Sequence, residues 1–223
     1  MKSLRFNITA AYVKSPRLWR EFCVPEDYTF DELHKAIQIM FMFLDEYDYG
    51  FWFDDKTEIY PYARFNEETP SKGSLDSAKT KIKDLFAKTD EIAYYYGEWE
   101  FDIRYISRAE SAEKVPFVIE GEGAVVYEKC GGPCGYMAMR EVFTNPRFNK
   151  TILADYYRDM INQRGTDDPD FGHFSASDTN HTLRIFTRGE LTVEKILEEY
   201  DKKTVIGYKI FENGVDKTNK NLN

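Results

Sequence analysis

A chain of 223 residues, 42% hydrophobic and 31% charged, is long enough to bury roughly 70% of its unfolded surface around one core, and one domain is the default. Its formal charge of -9 opposes a phosphate backbone and disfavours bulk nucleic-acid affinity. Three cysteines with no apolar leader before Arg5 argue against a secreted disulfide framework, and no apolar run reaches membrane length, so the setting expected is cytoplasmic and free of the membrane.

Leu4, Phe6, Ile8, Ala10 and Tyr12 alternate with more polar neighbours, the period of a half-buried strand. Pro16 marks a turn, and Leu18, Phe22 and Val24 continue a second strand that Pro25 ends. Thr29 with Glu32 is a capping box, and Leu33, Ile37, Met40, Phe41 and Leu44 share a face of the helix that follows. The chain therefore opens β-β-α. Tyr49–Phe53 reads as a short aromatic strand, Ile59–Phe65 as another, and Glu67–Ser77 as an exposed loop. Ile82, Leu85 and Phe86 suggest a short amphipathic helix.

Ile92–Tyr96 and Trp99–Ile106 flank Gly97-Glu98 as a tight hairpin, with Trp99, Phe101, Ile103 and Tyr105 on one face. Val115, Phe117 and Ile119 alternate as a further strand, and Gly121–Gly135 is a glycine-rich loop. Helices are expected over Tyr136–Phe143 and Lys150–Gln163, the second with Ile152, Leu153, Tyr156, Met160 and Ile161 as its apolar stripe. A short helix follows Ser175, then a helix over Val193–Lys202 and an apolar stretch over Val205–Phe211. Clustered antiparallel strands with interspersed helices predict an α+β fold: an antiparallel or mixed, roll-like sheet with helices packed on it.

Three ordered blocks carry a resemblance. They are Pro16-Arg17-Leu18-Trp19-Arg20 with Val24-Pro25, Leu33-His34 and Ile37-Gln38; Tyr96-Gly97-Glu98-Trp99-Glu100-Phe101; and Gly121-Glu122 followed by Cys130-Gly131-Gly132-Pro133 and Gly135-Tyr136. A fainter match runs through Phe174, Asn180 and Leu183. Together they resemble the family named for the third open reading frame of a root-inducing (Ri) plasmid. The resemblance spans about 4–183 and makes 1–183 the family-like domain, with 184–223 a C-terminal extension packed on it. It implies an uncharacterised binding or interaction domain, accessory to mobile elements. The chain departs from the pattern where Phe101 replaces a His, Val118 and Val125 replace cysteines, and Val126 and Tyr127 replace two prolines. These departures weaken any metal or thiol role.

Cys130 and Cys134 offer half a zinc site at best, and the glycines around them read as turn formers. Glu98, Glu100 and Asp102, with Glu120, Glu122 and Glu128 further on, admit metal-assisted hydrolysis as an alternative to the wet side of a sheet. A nucleic-acid-binding module is the other alternative. The run Lys79, Lys81, Lys83 and Lys88 is interleaved with acids and reads as a solvated face. A lone His34 is read as a structural donor, and Arg20 as one half of an ion pair. The binding candidates are Arg20, His34, Glu98, Trp99, Glu100, Glu122, Cys130 and Tyr136. The hairpin at 97–99 and the loop at 120–136 are expected to adjoin. No cofactor and no metal is implied, and the partner class left open is a protein.

Overall fold

The computed structural model describes residues 2–53, 57–65, 72–110, 114–125, 127–162 and 169–187. Strands β1 (Lys2–Ala10) and β2 (Trp19–Pro25) pair antiparallel, with Phe6 opposite Phe22 and Ile8 opposite Arg20. Alternation turns Leu4, Phe6, Ile8 and Ala10 to the core and leaves Arg5, Asn7 and Thr9 on the other face. The capping box starts α1 (Phe30–Phe41): Glu32 N–H donates to Thr29 Oγ1 at 3.2 Å, and Thr29 N–H donates to the Glu32 carboxylate at 2.7 Å. The helix ends on Met42, whose backbone is left-handed.

The remaining strands are β3 (Tyr49–Trp52), β4 (Glu58–Tyr60), β5 (Leu75–Asp76), β6 (Glu91–Tyr96), β7 (Trp99–Glu110) and β8 (Phe117–Glu122). They join one open eight-stranded sheet in the order β5-β4-β3-β6-β7-β1-β2-β8. Among the described strands only the β4–β5 pair is parallel, so the sheet is mixed and the fold is α+β. The helices are α1, the single turn α2 (Ile82–Leu85), α3 (Gly132–Thr144), α4 (Ile152–Asn162) and α5 (Ala176–Thr187). Among the described residues, none is long and apolar enough to cross a membrane.

The core lies between one sheet face and these helices. Phe30 packs edge-on against Phe51 at 4.9 Å between ring centroids, Phe41 against Phe101 at 4.8 Å, and Tyr136 against Trp99 at 5.8 Å. This is where the many aromatics of the sequence go: thick rings fill the gap between layers. Among the described residues the opposite sheet face is open. One row across it runs Trp52, Ala93, Asp102, Thr9, Trp19 and Glu122, each directly opposite the next.

Several boundaries differ from the sequence reading. β4 stops at Tyr60 and a 3₁₀ turn occupies Tyr62–Phe65, because Pro61 interrupts the ladder. Leu75–Asp76, expected in a loop, forms the edge strand β5. β8 begins at Phe117 and runs into the expected loop, α3 starts four residues early at Gly132, and the helix after Ser175 has twelve residues. The apolar stripe expected to bury α4 is also corrected. Ala154 and Ile161 are buried, whereas Ile152, Leu153 and Tyr156 face outward. The elements expected over Val193–Lys202 and Val205–Phe211 lie outside the described residues.

Candidate functional site

The β6–β7 hairpin turns on Gly97-Glu98, with Tyr96 opposite Trp99 and Gly97 at a positive φ of 55°, as a two-residue loop favours. Behind it, Trp99 is 1% exposed, and its indole N–H donates to Glu128 O at 3.0 Å. The glycine loop therefore docks on the hairpin through the tryptophan. Gly131 and Gly132 have φ of 92° and 61°, and a side chain on Gly132 would collide with the Glu98 carbonyl. Two glycines there let α3 begin directly against the turn.

Two hollows flank this hairpin. The first, about 220 Å³, is lined by Tyr47, Glu98, Trp99, Glu128, Lys129 and the 131–132 glycines. The second, about 430 Å³ and shallower, opens on the bare sheet face between Trp52, Ala93, Tyr95, Glu98 and Glu100. Glu98 belongs to both. Lys129 is held by an ion pair to Glu46. Glu128 is buried, accepting from the Tyr96 hydroxyl at 2.7 Å and from Leu44 N–H at 2.6 Å. Burial and the carboxylate together raise the Tyr96 phenol above its ordinary pKa, which keeps it a donor.

Of the candidates, Glu98, Trp99 and Glu100 line these hollows, and the others do not. Arg20 was expected to meet a carboxylate, but it is 3% exposed and its guanidinium donates to backbone carbonyls. Nε reaches Met40 O at 3.3 Å, Nη1 reaches Trp19 O and Glu122 O at 2.7 Å each, and Nη2 reaches Gly123 O at 2.7 Å. The Phe41 and Phe174 rings stand 4.8 and 4.0 Å from it. Burial pushes its pKa down to about 9, still charged at neutral pH. Gly121 makes room: a Cβ there would sit 2.7 Å from Arg20 Cδ and 3.1 Å from Phe174. Asn180 completes the joint, accepting from Val118 N–H at 2.6 Å and donating to Val118 O at 2.9 Å, so a side-chain amide covers the edge of β8.

His34 is 1% exposed, stacked on Tyr49 at 3.4 Å, with Nδ1 at 2.9 Å from the Tyr94 hydroxyl and Nε2 at 3.1 Å from Asp45. Glu122 accepts from the Trp19 indole at 3.4 Å. Cys130 is buried and its thiol is pushed up to about 12 by burial, so it stays protonated. Tyr136 is fully buried and donates to Ala124 O at 2.9 Å. The acids do not converge either: Asp102 and Glu122 are three strand spacings apart, about 14 Å. Among the described residues, no three of His, Cys, Asp and Glu are grouped as a metal site requires.

Sequence reasoning missed Tyr47, Trp52 and Lys129. Trp52 had a legible signal: it alternates with Phe51, and Gly50, its neighbour on the open face, leaves the space that the Tyr95 ring fills. Tyr47 and Lys129 lie on irregular segments, where no period points inward or outward.

Against known proteins, the family model for plasmid pRiA4b ORF-3-like proteins matches residues 2–178. The crystal structure of a protein of unknown function from Methanosarcina mazei Go1 is similar, with a TM-score of 0.62 and 26% identity over 79% of this chain and 97% of that one. No curated protein matches.

Proposed function

The chain belongs to the plasmid pRiA4b ORF-3-like family, and from that premise we propose that it is a binding module which takes a basic segment of a protein partner on the acidic rim of its β6–β7 hairpin. The observation that carries this is the placement of Glu98, exposed on a turn that Trp99 anchors in the core and shared by both hollows. Rigid support beneath an exposed charge limits the ordering cost of binding. Glu100 adds a second carboxylate on the open side, and Trp52, 45% exposed, offers a ring for an ammonium or guanidinium. The lining's own cation, Lys129, is engaged by Glu46. A hollow of about 220 Å³ suits one long side chain better than a cofactor.

Metal-assisted hydrolysis draws no support from the scattered acids, and phosphate backbones would meet carboxylates on this rim. The test is calorimetric titration of the full chain with a Lys/Arg-rich peptide, a neutral peptide and an acidic one. The basic peptide is expected to bind, to weaken with salt, and to lose about tenfold in affinity with Glu98→Gln combined with Glu100→Gln. Equal binding of the three peptides, or indifference to the double substitution, overturns the reading.

A further inference from the structure

We infer that the second hollow, on the open face beside Trp52, selects arginine over lysine: a guanidinium from the partner lies flat on the Trp52 ring and is held in its plane by Glu98 and Glu100. This rests on the basic-segment reading above and names the side chain that the segment must bring.

The aromatic part of the hollow is fixed before a partner arrives. Tyr95 lies over Gly50, where a Cβ would come within 2.3 Å of its hydroxyl, and it donates to Glu58. Its ring stands 6.3 Å from that of Trp52 at 47°, so the two make a corner, too close together to hold a cation between them. On the β6 side Trp52 has only Ala93 opposite it, and a methyl there leaves the indole 45% exposed. Glu100 lies two strands across and one row along from Trp52, about 12 Å between Cα atoms from strand spacing and rise. An indole, a guanidinium stacked on it and a glutamate side chain together span that gap.

The charge on this side is uncompensated. Elsewhere on the face, acids meet basic partners on the neighbouring strand: Arg104 lies opposite Glu91 and pairs with it at 3.6 Å, and Arg5 pairs with Glu21. Glu100 instead lies opposite Tyr95, and among the described residues none makes an ion pair or side-chain hydrogen bond with Glu98 or Glu100. A guanidinium answers both features. The hollow is shallow, so an ammonium there keeps its tight hydration shell and gains little from the ring. A guanidinium is more weakly hydrated and stacks without giving up its in-plane donors, which then reach two carboxylates at once. A flat neutral group stacks as well, but leaves both carboxylates unpaired.

The test is calorimetric titration of the full chain with three peptides that carry arginine, lysine or citrulline at one position and lysine as their other cations. The arginine peptide is expected to bind about tenfold more tightly than either of the others, and Trp52→Leu should bring that ratio within about twofold. Equal binding of the arginine and lysine peptides overturns this inference and leaves the basic-segment reading standing, whereas failure of both to bind overturns the two together. A citrulline peptide as tight as the arginine one shows stacking without charge and overturns it as well, as does an arginine preference that survives Trp52→Leu. Should that variant misfold, the same ratio in Glu100→Gln decides: it should fall, and a ratio that holds at about tenfold is fatal.

Discussion

Two regions carry the residues by which this chain resembles its family, and they use them in opposite ways. At the Arg20 joint, the side chains of Arg20, Phe174 and Asn180 spend their bonding and stacking capacity on the protein itself: carbonyls of three segments, a ring, the edge of β8. At the hairpin, Trp99 and the glycines hold a turn rigid, but the acid beside them points to solvent. A shared motif is thus a folding device in the first region. In the second it is a folding device that presents something. The difference is visible only in where the polar groups end.

That comparison can be broken by substitution. The largest effect is expected at the joint. Arg20→Ala strips four carbonyl contacts and leaves a gap between Phe41 and Phe174, so a loss of about 3–5 kcal/mol is expected in denaturant unfolding. Arg20→Lys should recover little, because an ammonium cannot fork to carbonyls on several sides. A loss under about 1 kcal/mol would show that the joint is not structural. Next is Asn180→Ala, which uncovers both backbone groups of Val118. About 1–2 kcal/mol is expected, with faster amide exchange confined to β8. Exchange unchanged at Val118 would mean that the amide contact is idle.

The smallest effect sharpens the contrast. Glu98→Ala should leave stability within about 0.5 kcal/mol, against about 3–5 kcal/mol for Trp99→Ala at the next residue. A large cost for Glu98→Ala would move the hairpin into the same class as the joint. An acid effect is expected outside both regions, at the first turn of α1. Burial raises the Asp31 carboxyl, but hydrogen bonds from Lys35 and Tyr49 outweigh it and the net shift is downward. A depressed folded pKa contributes stability above the ordinary value of 3.8, lost as pH falls through the lower folded one. Asp31→Asn should therefore flatten the acid limb of the stability profile, and an acid limb as steep as that of the parent chain would show that the Lys35 and Tyr49 contacts do not hold this carboxylate.

Much of the architecture was written in local patterns. The β-β-α opening, the Thr29–Glu32 box and the Gly97-Glu98 hairpin each rest on residues within a few positions of one another, so period and capping chemistry suffice to find them. The alternation in β7 told which face holds Trp99, Phe101 and Ile103 and which holds Glu100 and Asp102. The contact between hairpin and glycine loop was expected from family-like blocks, and the structure places them side by side.

Tertiary structure alone decided the rest. Nothing near Arg20 in sequence says that its partners are carbonyls, because two of them belong to Glu122 and Gly123, a hundred residues away. The stripe on α4 reads as a buried face by period, yet a period marks only that residues share a side, and which of two apolar sides meets α3 is set by packing. Likewise the six acids weighed as a cluster, Glu98, Glu100, Asp102, Glu120, Glu122 and Glu128, have no distances until strand order assigns them. The sheet then puts Asp102 and Glu122 on one open face three strands apart, Glu128 inside, and Glu98 at the rim. A sequence determines which residues prefer water, but charges separated by long stretches of chain become a site, or fail to, only when the fold sets the distance between them.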